Sequence, residues 1–237
     1  MTTPAATTAT TTATTTTSQT YLTPVDTDGN ITPQRRPGPV VYAVLTLWAA
    51  GAVAYEASGA MAASPGQAPL GLLVGAATPV ALFGLALATL EPVKRFAREL
   101  DLGLLTAFQS WRVIGSMFLT LFALDQLPGL FAWPAGFGDI LVGLAAPFAV
   151  LAYARQSAGW QTKVRWLNYA GLFDFAVAVG TGVMMSESTL GVLRTPGGLS
   201  AELVNQWPLS LFPTFLVPMF IIMHWISLRQ LSNTPKD

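Results

Sequence analysis

Apolar residues in this chain fall into six blocks, each close to the roughly 20 residues an α-helix needs to cross the hydrocarbon of a bilayer. The blocks are Pro39–Ala57, Leu70–Leu90, Leu104–Leu124, Phe131–Ala154, Trp166–Ser186 and Pro208–Leu228. Turn-forming breaks such as Ser64-Pro65-Gly66 and Gln126-Leu127-Pro128-Gly129 separate several of them. A soluble helical bundle would show a polar stripe along each helix, whereas Leu70–Leu90 carries no charged residue and no such stripe. The pattern predicts an all-α, polytopic membrane helix bundle of six transmembrane helices.

Composition agrees. Of the 237 residues, 52% are hydrophobic and 10% charged, against about 25% charged in an average soluble domain. Mean hydropathy is +0.51. Met1 to Gln34 is a different material, rich in Thr with few large apolar side chains. Such a segment cannot offset its chain entropy by burial, so residues 1–38 are expected to be a disordered cytoplasmic tail. Residues 39–230 form the six-helix domain, and residues 231–237 a short cytoplasmic C-terminal tail. Asp26–Thr32 resembles part of a calcium loop in its acidic spacing. The first ligand position holds Pro24 and the last holds Arg35, which removes the ligands that count most.

Basic residues set the orientation, because short cytoplasmic loops carry the excess of Lys and Arg. With the N-terminus inside, the cytoplasmic segments contain Arg35, Arg36, Lys94, Arg95, Arg98, Arg155, Lys163, Arg165, Arg229 and Lys236. The outer loops contain only Arg194, and Arg112 lies within a block. Both termini are therefore expected in the cytoplasm, in a prokaryotic cytoplasmic (inner) membrane with the lipid bilayer as the first partner. Glu91–Gly103 has apolar and basic faces at helical spacing, which suits a helix lying along the inner leaflet. Trp48 and Trp111 fall at mid-depth, where packing is their expected role.

The sequence also limits the chemistry. Lys plus Arg and Asp plus Glu are equal at 12 each, which gives no pull toward nucleic acid. There is no cysteine and one histidine, so thiolate chemistry and His-rich metal or haem sites are excluded within one chain, and no cofactor is implied. No hydrolase, zincin, P-loop or dinucleotide fingerprint occurs. No residue is assigned a catalytic or metal-binding role.

Three charges remain inside apolar blocks: Arg112, Asp139 and Asp174. A charge at bilayer depth costs roughly 2.5–3.5 kcal/mol on insertion scales and is rarely kept without a partner or a role. In the third block Gln109, Arg112, Ser116 and Thr120 follow three- and four-residue spacing and share one helix face. Both acids follow the phrase Ala-Gly-x-x-Asp-x-x-x-small, at Ala135-Gly136 and at Ala170-Gly171, which lets neighbouring backbones approach closely. Asn168 lies at the edge of the Asp174 stripe. Counting residues from the ends of the blocks brings Arg112, Asp139 and Asp174 to similar depth, where one guanidinium can bridge two carboxylates. One Arg does not neutralise two Asp. The excess charge suggests a small carrier or permease-like protein, with Arg112 holding an anion, one Asp exchanging a proton, and a small molecule or ion as substrate. The alternative is a non-catalytic scaffold or sensor subunit in which the cluster is a structural clasp. His224, near the inner end of the last block, is a pH-sensitive candidate that is otherwise expected to snorkel to the interface or to bond a carbonyl.

Overall fold

The computed structural model describes residues 34–61 and 66–233. Most of the Thr-rich segment, including Asp26–Thr32, and the last four residues of the C-terminal tail lie outside them. The described residues are helical, with a single isolated bridge between Arg35 and Leu100. Eight α-helices follow in chain order: α1 (Pro39–Ala57), α2 (Leu70–Thr89), α3 (Glu91–Glu99), α4 (Leu102–Phe108), α5 (Ser116–Ala123), α6 (Gly129–Ala154), α7 (Trp160–Met184) and α8 (Val217–Ser232). A 3-10 segment, Gln109–Gly115, joins α4 to α5, and a π-helical segment, Phe212–Leu216, leads into α8.

Among the described residues, five helices are long and apolar enough to cross a membrane: Pro39–Ala57, Leu70–Thr89, Gly129–Ala154, Trp160–Met184 and Phe212–Ser232. The expected third span, Leu104–Leu124, is not one helix. It is divided into α4, the 3-10 segment and α5. The other boundaries move by a few residues. The fifth helix begins at Trp160 rather than Trp166, and the last runs to Ser232 rather than Leu228.

Burial separates a centre from a periphery. Along α6 the buried positions Ala132, Ala135, Gly136, Asp139, Val142, Gly143, Ala146, Ala149 and Ala152 recur at three- and four-residue spacing. They are mostly small, so α7 and the 3-10 segment can pack close to its backbone. By contrast α1 buries only Ala52 and α2 only Leu87. Many of their other Leu and Val side chains, Val40, Leu47, Leu70 and Leu85 among them, are exposed, a distribution that suits lipid on the outside of the bundle rather than water.

The end of the bundle bearing α3 is fixed by the chain entering α1. The Asp101 amide donates to Arg35 O (3.0 Å), and the Leu102 amide donates to Gln34 Oε1 (2.7 Å). Asp101 also caps α4 by accepting from the Leu104 amide (3.0 Å). The expected amphipathic stretch Glu91–Gly103 thus becomes helix α3 and the first turn of α4.

Prolines explain how α1 is attached. Pro218 lacks the N–H that would bond to the Thr214 carbonyl one turn earlier. Trp48 supplies the missing donor, its Nε1 lying 3.2 Å from Thr214 O, and its ring packs edge-on against Phe215 with centroids 5.0 Å apart. Trp111 departs from the packing role expected of it: it is 66% exposed and stacks only on Phe108.

Leaving a buried carbonyl without a donor costs about 1–3 kcal/mol. Trp48→Phe, which keeps the ring and removes the N–H, should therefore lower the thermal midpoint in detergent. An unchanged midpoint would show that the bond holds α1 to nothing.

Candidate functional site

The 3-10 winding decides what the third block presents. In a 3-10 helix residues three apart eclipse one another, so Gln109, Arg112 and Gly115 stack along one edge, and these are the residues buried there. Ser116 and Thr120, expected to share that edge on an α-helix, are turned outward and exposed. The winding is matched to α6: a Cβ on Gly143 would come within 2.9 Å of the Val113 nitrogen and 3.3 Å of Ser110 O. The two backbones are nearly in contact.

Arg112 is 1% exposed and lies at the centre of the bundle. A guanidinium has five N–H donors and no acceptor, and four of the five have partners. Nε donates to Asp139 Oδ1 (2.7 Å), and Nη2 donates to Asp174 Oδ2. Nη1 donates to Gly171 O (3.2 Å) and lies 3.3 Å from His224 Nε2. The guanidinium carbon also sits 3.8 Å from the centroid of the Phe175 ring, within cation–π range. One cation thus ties the 3-10 segment to α6, α7 and α8.

His224 does not snorkel. It is 0% exposed, because α8 continues another two turns beyond it. Asn168 determines its tautomer. The Asn168 amide nitrogen donates to Val164 O (2.7 Å) and Ser227 Oγ (2.9 Å), so its oxygen accepts from His224 Nδ1 (2.8 Å). With Nδ1 as the donor, Nε2 presents a lone pair to Arg112. The polar chain Ser227, Asn168, His224, Arg112 is continuous, and it ends on two carboxylates.

Glycines make room for both acids. A Cβ on Gly115 would overlap the Asp139 carboxylate, and one on Gly138 would overlap Asp174 Oδ1. A Cβ on Gly171 would overlap His224 Nε2 and come within 2.7 Å of Arg112 Nη1. The two Ala-Gly phrases of the sequence are points of close approach, with Gly136 against Leu119 and Gly171 against the cluster.

Of the residues singled out in the sequence, Arg112, Asp139, Asp174, Asn168 and His224 therefore meet in one network. Gln109 is buried one 3-10 turn away, and its Oε1 has no hydrogen-bond partner among the described residues. The sequence reading did not anticipate Phe175 or Ser227. Ser227 could have been found from its three-residue offset from His224; nothing local marks Phe175. No group of three or more His, Cys, Asp or Glu side chains arranged to hold a metal occurs among the described residues.

A cavity of about 90 Å³ adjoins the cluster. Asp139 lines it at depth, Ser186 and Asn205 lie toward the end of the bundle opposite α3, and most of the wall is apolar. Arg112 is not part of its lining.

Residues 69–232, more than half of the chain, match the family described as Domain of unknown function (DUF8737). The chain belongs to that family. The matched region contains the whole cluster and the whole cavity lining and leaves α1 outside. No curated protein and no solved structure matches the chain.

The close approaches give a direct test. Overpacking a tight core costs about 1–3 kcal/mol, so Gly138→Ala and Gly171→Ala should lower the thermal midpoint and the monodisperse yield. Gly180→Ala, whose Cβ would meet nothing within 4 Å, should leave both unchanged. Equal behaviour of the three variants would contradict the packing described.

Proposed function

We propose that this is a non-catalytic integral protein of a cytoplasmic membrane, with six crossings and both termini inside, in which the Arg112 cluster is a structural clasp. The observation that carries this reading is the engagement of the guanidinium. It is fully buried, and its partners come from three other helices. The segment Leu102–Ala123 supports a sixth crossing: its two α-helical parts and its 3-10 part together span about 36 Å. The distribution of Lys and Arg favours the inside location of both ends.

The carrier reading draws support from the cavity that reaches Asp139. It would have to dispense with Arg112 as an anion holder, since that side chain already spends its donors inside the protein. Of the two, the clasp accounts for more of the geometry.

Removing one member of a buried ion pair costs about 3–5 kcal/mol, whereas replacing the whole set with uncharged groups is far less damaging. Arg112→Met should therefore lower the thermal midpoint sharply, and the triple variant Arg112→Met, Asp139→Asn, Asp174→Asn should recover part of the loss. Single variants that melt like the native chain while abolishing a pH-dependent flux in liposomes would favour a carrier instead.

Topology has its own test, made simple by the absence of cysteine. Ser157→Cys should react with a membrane-impermeant maleimide only after the membrane is opened, and Thr195→Cys should react in intact cells. The opposite pattern would invert the orientation.

A further inference from the structure

The cavity beside Asp139 combines two features that apolar voids seldom share. Its lining includes four buried phenylalanines, Phe118, Phe131, Phe175 and Phe212, together with Asp139. Asp139 keeps 12% of its side chain exposed although it is paired with Arg112. Phe175 is the same ring that lies against the guanidinium on the other side of the cluster.

Charge decides what could occupy such a place. Arg112 is shared between two carboxyl groups, so with both ionised the cluster would carry one negative charge more than it can balance. An anion would be repelled. A hydrated metal ion would have to exchange its water for phenyl rings and a single carboxylate, too few oxygens for calcium or magnesium. A neutral apolar molecule would leave the exposed carboxylate facing hydrocarbon without a donor, which is costly. An organic ammonium meets both demands, because its N–H groups pair with the carboxylate and its body and charge lie against aromatic faces.

Size and access narrow the class. An apolar cavity of about 150 Å³ can hold benzene, and this one is about 90 Å³. It takes the ammonium, its methylene and part of a ring, with the rest extending through the mouth. At the mouth stand Leu73 of α2 and Val179 of α7, 39% and 42% exposed. The opening therefore lies between two apolar helices on the side of the bundle, and a ligand entering there would come from the acyl-chain region.

We infer that the cavity is a binding site for a small lipophilic monoamine in its ammonium form, with Asp139 as its counter-ion and Phe118, Phe131, Phe175 and Phe212 as its walls. The assignment does not require that anything crosses the membrane. It also stands apart from the clasp, which the stability of Arg112 variants decides without any ligand.

The test compares benzylamine, an ammonium at neutral pH, with benzyl alcohol, which has the same shape and no charge. Binding of each to the purified full chain in lipid nanodiscs is measured by titration calorimetry, with empty nanodiscs subtracted. Benzylamine should bind about tenfold or more tightly than benzyl alcohol, the scale of a charge-assisted contact away from water. Asp139→Asn should remove that preference. Ala178→Leu, which fills the cavity from the half-buried face of α7, should weaken both ligands.

Equal affinity for the two probes in the native chain would overturn the proposal, since it would mean that a proton rather than a cation settles the excess charge. No binding of either would overturn it as well, as would a preference that survives Asp139→Asn, or affinities that Ala178→Leu leaves intact. Should Asp139→Asn fail to insert, the native comparison and Ala178→Leu decide the matter.

Discussion

The fold is organised around a buried guanidinium that cannot give up its charge. Arg112 retains its proton in any protein environment, and it is screened from water on every side. Its donors therefore have to be met by the protein, and meeting them dictates much else. Asp139 and Asp174 must reach it from α6 and α7, Gly171 must offer a carbonyl, and α8 must bring His224 in the acceptor tautomer. Gly115, Gly138 and Gly171 stand where any larger residue would displace one of these groups. The helices that meet the cation form the centre of the bundle, and α1 and α2, which contribute nothing to it, are peripheral.

The departures from regular helix follow the same logic. Irregular backbone at membrane depth is tolerated only where the protein or a water-filled cavity satisfies it. The 3-10 segment is pressed against α6, and its eclipsed winding stacks Gln109, Arg112 and Gly115 toward the core. Pro218, just after the π-helical segment, leaves the Thr214 carbonyl without its usual donor, and Trp48 then holds it. In the 3-10 segment the irregularity aims Gln109 and Arg112 inward together, which a straight α-helix at the same position would not do.

Much of this was legible in the chain because it rests on strong, additive signals. Hydropathy over some 20 residues located five helices to within a few positions, and the cost of burying charge singled out Arg112, Asp139 and Asp174 in advance. The failures have a common cause in packing between segments distant in sequence. Nothing local in Gln109–Gly115 announces a 3-10 helix, so Ser116 and Thr120 were assigned to a face they do not share. His224 is buried because α8 runs on past the end of the last apolar block, and Trp111, at mid-depth where packing is the expected role, turns its ring outward. Phe175 follows Asp174 directly and points to the guanidinium only through the rotation of α7.

The two acids show how far identical sequence phrases can diverge once folded. Each follows Ala-Gly at the same offset, and each carboxylate accepts from the same arginine. Asp174 is held against the backbone of Gly138 and does not line the cavity; Asp139 is held against Gly115 and does. Arg112 can compensate only one full negative charge, and the side on which the excess meets open space is the side of Asp139. Well-packed apolar residues can serve stability as well as a buried ion cluster does. Retaining a second carboxylate and setting one of the pair against an aromatic-walled void makes sense if the surplus charge has a use, and the cavity is where that use would be exercised.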